Sequence, residues 1–208
     1  MSRLSALKPK PFASVLLRLS RREVGRMTGR EPEGAVGPLE AYARYPSLLF
    51  AYGLFEGGTG RLHAVPERLK ALAQLKVATV SHCEYCIDIG SQIGRRAGLS
   101  DEELLALPRY RESECFDGRE RLVLDYAVAM SRTPVEVSDE LFSSLQRHFD
   151  ERQLVELTNV IALENMRSRF NLALGYGAAG FTEGMVCAVP EPAGAEAERA
   201  GAPSPAAA

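Results

Sequence analysis

Apolar residues recur at intervals of three and four along most of the chain, and no segment alternates apolar with polar positions for long enough to argue for a strand. That period sets the fold class as all-α. The spacing predicts helices over about Phe12–Arg26, Leu39–Ala43, Ser47–Gly57, Pro66–Val80, His82–Ala97, Asp101–Leu107, Gly118–Ser131, Asp139–Phe149 and Glu151–Leu174. Four starts carry a chemical mark: Ser81 with Glu84, Ser100 with Glu103, Asp117 with Glu120, and Asp150 with Gln153. In each pair a capping side chain and an acid or amide three residues later satisfy one another's orphan backbone donors. Glu67 and Arg68 ahead of Leu69, Leu72 and Leu75 parallel Glu151 and Arg152 ahead of Leu154, Leu157 and Val160, with a shift of one residue, which suggests a repeated helical unit.

Helix breakers divide the chain. Pro32, Gly34, Gly37 and Pro38 close a helical N-terminal extension over residues 1–38, and the helical pattern then runs through 39–188 as one domain. From Val189 to Ala208 there are 8 Ala, 4 Pro and 2 Gly and no apolar period, so residues 189–208 read as a disordered tail.

Composition narrows the functional classes. The 208 residues are 46% hydrophobic and 25% charged, as in an ordinary globular protein. With 25 Lys and Arg against 27 Asp and Glu, the net charge is −2. No basic surplus exists to neutralise phosphates, so a nucleic-acid partner is not expected. The longest apolar stretches, such as Ser47–Phe55, fall short of the roughly 20 residues a bilayer span needs, so no membrane partner is expected either. The basic N-terminus has its apolar patch broken by Arg18 and lacks a small-residue cleavage site, which argues against a secretory leader and for a cytoplasmic protein. The many apolar helical faces predict a homo-oligomer.

The candidate chemistry lies in Ser81-His82-Cys83-Glu84-Tyr85-Cys86, where one predicted helix gives way to the next. Three residues apart at a helix start, Cys83 and Cys86 share a face, and the free amides and dipole of the first turn stabilise a thiolate there. With Ser81 as the cap, both sulfurs stand at an exposed helix beginning. A zinc site needs four ligands, whereas Cys115, Cys187, His63 and His148 are scattered singly, so no metal or other cofactor is expected. A thioredoxin-like site needs strand, turn and helix, which the helix on either side of this motif excludes. Two readings stay open on the residues alone: an active dithiol, or two small core residues. Gly90 and Gly94 follow at intervals of four, and close helix packing is the favoured reason for both. Glu164, Asn165 and Arg169 sit in a strongly apolar helix and read as a structural polar network.

Leu69 to Ala78 followed by Cys83-Glu84-Tyr85-Cys86, and the later run Glu156 to Asn165 through Arg169-Phe170-Asn171, resemble the carboxymuconolactone decarboxylase and AhpD-like alkylhydroperoxidase superfamily. The resemblance spans about residues 39–184. It implies an AhpD-like helical bundle, often trimeric or hexameric, without a cofactor, in which Cys86 is oxidised by peroxide to a sulfenic acid and Cys83 resolves it as a disulfide. A peroxide or other small-molecule substrate and a dithiol reductant are the implied partners. Peroxidase members place a glutamate three helical turns before the first cysteine and a histidine four residues after the second. This chain has Ala71 and Gly90 there. His82, Tyr85 and Glu156 are the candidates for a substitute proton relay. The alternatives are a silent oligomerisation or binding module and a lactone-acid lyase.

Overall fold

The computed structural model describes residues 2–5, 7–9, 11–30 and 37–192. Among these residues the elements are α1 (Pro11–Thr28), α2 (Pro38–Tyr42), α3 (Pro46–Thr59), α4 (Glu67–Val80), α5 (Glu84–Arg96), α6 (Asp101–Ala106) with a 3₁₀ turn (Leu107–Arg109), α7 (Gly118–Ser131), α8 (Asp139–Gln146) and α9 (Glu151–Leu174). There is no strand among them, and the fold is all-α as the period predicts.

Helix α4 is the hub. Leu69, Leu72, Leu75 and Val77, with the small Ala71, Ala73 and Ala78, bury nearly its whole circumference, as a helix apolar on most sides requires. Helices α5, α7 and α9 pack around it. Its two buried lysines are both engaged. The Lys70 ammonium donates to the Leu62 carbonyl at 2.7 Å and pairs with Glu156, while that of Lys76 donates to the Leu107 carbonyl at 2.9 Å and pairs with Glu191. Helix α1 packs on α2, α3 and α5. A second small core joins Ala13, Tyr42, Ala43 and Leu49, with the Tyr42 ring stacked between Tyr52 and Phe170, each centroid 4.4 Å away.

Three of the four marked helix starts hold: Ser100 with Glu103, Asp117 with Glu120, and Asp150 with Gln153 form capping boxes. The fourth does not. Ser81 ends α4, its hydroxyl bonded back to the Ala78 carbonyl at 3.2 Å. His82 then takes the left-handed conformation, φ 56°. Its N–H donates to the Thr79 carbonyl and that of Cys83 to the Ala78 carbonyl, the reciprocal pair that closes a helix around a left-handed residue. The stop consumes Ser81 and His82, so α5 begins two residues later than predicted.

After α9, which ends at left-handed Gly175, the chain continues without regular structure as a strap along α5. Asp88 holds it: its carboxylate accepts the backbone N–H groups of Ala179, Phe181 and Thr182 at 2.8, 3.0 and 2.8 Å, and the Thr182 hydroxyl. The strap then reaches Glu191, which is buried against Lys76. Glu191, expected in the tail, is thus packed into the body, where its carboxylate pairs with the buried Lys76 ammonium. The remainder of that tail, 193–208, lies outside the described residues, as do 31–36 of the N-terminal extension.

Candidate redox site

Because the stop of α4 uses up Ser81 and His82, Cys83 itself caps α5. Its sulfur accepts the Cys86 backbone N–H at 3.3 Å, the place a serine or aspartate oxygen takes at other helix starts. Cys86 lies one turn on, in the first turn of α5. The two thiols are free.

The opposite wall comes from α9. Asn171 Nδ2 donates to Cys86 Sγ at 3.3 Å and lies 3.8 Å from Cys83 Sγ, and Ser168 Oγ lies 3.6 Å from Cys86 Sγ. Both sulfurs are buried, Cys83 completely and Cys86 to within 3%. The expectation of an exposed helix start is corrected accordingly. The start of α5 faces α9 rather than water, so the sulfurs are lined by protein donors.

These contacts separate the two sulfurs. The Cys83 thiol is held below its ordinary value, chiefly by the hydrogen bond from the Cys86 thiol, with the cap N–H and Asn171 assisting and burial opposing. Cys86 is pushed far up, first because its proton is held on Cys83, then by burial and by the Glu164 carboxylate. The environment therefore favours the anion on Cys83 over the anion on Cys86.

The three relay candidates fare differently. His82 is exposed, and its left-handed backbone serves the helix stop. Tyr85 is buried beside the pair: burial and then the charges of Cys86, Asp88 and Cys83 push its hydroxyl up, which leaves it a proton donor at best. Its ring meets Phe181 edge-on at 6.1 Å. Glu156 is not at the site. It pairs with Lys70 at 3.1 Å and accepts the Ala64 N–H at 2.8 Å. On α9 it precedes Ser168 by twelve residues, about 18 Å along a helix axis.

At the positions where the resemblance calls for an acid and a histidine, Ala71 is buried in α4 and Gly90 is packed so that an added Cβ would come 3.0 Å from Leu75 Cδ1. The favoured packing reason for Gly90 and Gly94 agrees with this, since a Cβ at Gly94 would come 2.9 Å from Leu99 Cδ1. The residues that the pattern along the chain passed over are Ser168 and Asn171. One signal existed: Glu164, Ser168 and Asn171, spaced four and three apart, fall on one face of the helix.

The model of the carboxymuconolactone decarboxylase family matches residues 39–129. The uncharacterized protein YnjA of Escherichia coli strain K12 is 36% identical over 158 residues, 75% of this chain and 84% of that one. The chain belongs to the carboxymuconolactone decarboxylase family. Solved structures share its AhpD-like fold at lower identity. A cysteine-to-alanine variant of the debrominase Bmp8, in complex with 2,3,4-tribromopyrrole, superposes with a TM-score of 0.71 at 22% identity, covering 84% of this chain and 92% of that one. A peroxidase-related protein from Silicibacter sp. TM1040 does so with a TM-score of 0.65 at 22% identity, covering 84% and 90%. This chain carries the dithiol at the start of α5.

Proposed function

We propose that the protein is a thiol-dependent oxidoreductase that reduces a peroxide by cycling Cys83 and Cys86 between dithiol and disulfide. One observation carries this reading: the two sulfurs share one helix cap and one donor, with Cys83 accepting the Cys86 N–H at 3.3 Å and Asn171 donating from α9 to Cys86 at 3.3 Å and to Cys83 at 3.8 Å. The resemblance assigns first oxidation to Cys86; the lowered Cys83 thiol instead favours Cys83 as the attacking anion. The Cys83 thiolate attacks one peroxide oxygen, an S–O bond forms as the O–O bond breaks, and the leaving oxygen takes a proton to depart as alcohol or water. Cys86 sulfur then displaces hydroxide from the sulfenic acid, closing the disulfide and releasing water. An external dithiol restores the pair by exchange, becoming a disulfide itself.

Because both sulfurs are buried against α9, substrate reaches them only when that cover opens. Mass spectrometry after stoichiometric hydrogen peroxide tests the cycle. The expected product is a loss of two hydrogens that disappears in both Cys83→Ser and Cys86→Ser. 2,3,4-Tribromopyrrole, bound by the structurally similar debrominase, belongs in the same substrate panel. An unchanged thiol count in the folded protein overturns the reading in favour of a silent module.

A further inference from the structure

Charge is divided unevenly along the chain. Residues 1–30 carry 8 basic side chains against 1 acidic, a net +7, so residues 31–208 carry −9 within a total of −2. Much of the positive end is helix α1, which uses its two faces differently. Ala13, Leu17, Val24 and Thr28, spaced four, seven and four apart, turn inward: Ala13 and Thr28 are buried, and Leu17 and Val24 are half-buried against the two cores. The opposite face holds Phe12, Val15 and Leu19, at 59%, 45% and 56% exposure, then exposed Arg22 and Arg26, with exposed Arg18 at its flank. Spaced three, four, three and four apart, the five side chains from Phe12 to Arg26 form one outward line, bulky and apolar over the first half and cationic over the second. Glu23 is the one acid of the helix, and it pairs with Arg26 at 3.5 Å.

We propose that the outer face of α1 docks the protein on an anionic lipid bilayer, with Phe12, Val15 and Leu19 set among the headgroups and Arg18, Arg22 and Arg26 against their phosphates and carboxylates. This docking is independent of the redox reading. The lack of a spanning stretch, which set a membrane partner aside, says nothing of a helix that lies flat: α1 carries four arginines in its 18 residues and could not cross, but an apolar line beside a basic one suits the interface plane. Charge complementarity selects the occupant. A molecule of net −2 is repelled as a whole by a negative surface, yet the segregation gives it one positive end, and within a Debye length that end is attracted while the rest is held off. A protein groove would demand a shaped complement along the line. Headgroups take up bulky apolar side chains and pair with arginines at any spacing, and an outward helix face offers both.

The test is co-sedimentation of the full chain, at low salt, with phosphatidylcholine vesicles containing about one-third phosphatidylserine. Wild type is expected to sediment with these vesicles, to stay in solution with pure phosphatidylcholine, and to be released by about 1 M salt, where screening acts within about 3 Å. Replacing the arginines together, Arg18→Gln with Arg22→Gln and Arg26→Gln, is expected to weaken partition about 100-fold. Phe12→Ser with Leu19→Ser is expected to weaken it about tenfold. All five side chains are exposed, so both variants are expected to keep the helical signal of wild type. A wild type that ignores the anionic vesicles, or binds both compositions equally, overturns the proposal, and so does a triple variant that binds as wild type does. A variant whose mass by light scattering falls below that of wild type shows that this face joins copies of the chain, which overturns the assignment to a bilayer. Should a variant unfold, hydrogen exchange of α1 in wild type decides: slower exchange on anionic vesicles supports docking, and unchanged exchange overturns it.

Discussion

His82 occupies a left-handed backbone position where glycine would be free of strain, and in doing so it ends α4 and delivers Cys83 to the cap of α5. A residue read as a proton relay is thus an architectural stop. Its neighbour gains the chemistry instead: a sulfur that accepts a cap N–H has the anion favoured over the thiol. The sign of the consequence follows. The Cys83 thiol is depressed, so its thiolate is present at a lower pH than that of an unperturbed cysteine, near 8.5. Activity dependent on that anion rises with pH and levels off earlier than for an ordinary thiol. Asn171→Leu removes one donor at similar volume, and the ultraviolet thiolate absorbance of Cys83 is expected to titrate at a higher pH in that variant. An unmoved midpoint would show that Asn171 only packs.

Among elements, the α4–α5 contact explains why the family's histidine position cannot simply be refilled. Gly90 lets α5 approach Leu75 on α4, and Leu75 is buried to within 1%. Gly90→His is therefore expected to lower stability by about 1–3 kcal/mol through overpacking and to bring no gain in peroxide turnover. Chemical denaturation and peroxide consumption check the two halves of that statement. The α5–α9 contact supplies the polar wall in place of a neighbour on α5 itself. Glu156, at the other end of α9, belongs to the neutralisation of Lys70.

At the scale of the whole molecule, α3 is apolar on nearly every side, yet Leu49 is its one buried residue. Leu48, Phe50, Leu54 and Phe55 stand between 46% and 61% exposed, and the one charged residue of the helix, Glu56, is turned to Arg167. A helix apolar all round belongs in an interior. The expected homo-oligomer would cover it with a second copy of the same surface. Light scattering is expected to give a multiple of the 22.7 kDa chain, and Leu54→Glu with Phe55→Glu to reduce it to one chain with helical content retained. A monomeric wild type overturns this arrangement. Among the described residues, no helix is long and apolar enough to cross a membrane.

The helices, three of their four marked caps and the dithiol were legible along the chain because each depends on neighbours three or four residues apart, where the period and cap chemistry act. The misplaced start of α5 was not, since a left-handed His82 carries no glycine to announce it. Nor was the environment of the sulfurs. Asn171 and Cys86 are 85 positions apart, and what sets the pair is the packing of α9 across the cap of α5. Burial was misjudged for the same reason. A helix start is open to water by itself and is closed only by what folds against it, and that same closure brings Ser168 and Asn171, rather than Glu156, to the dithiol.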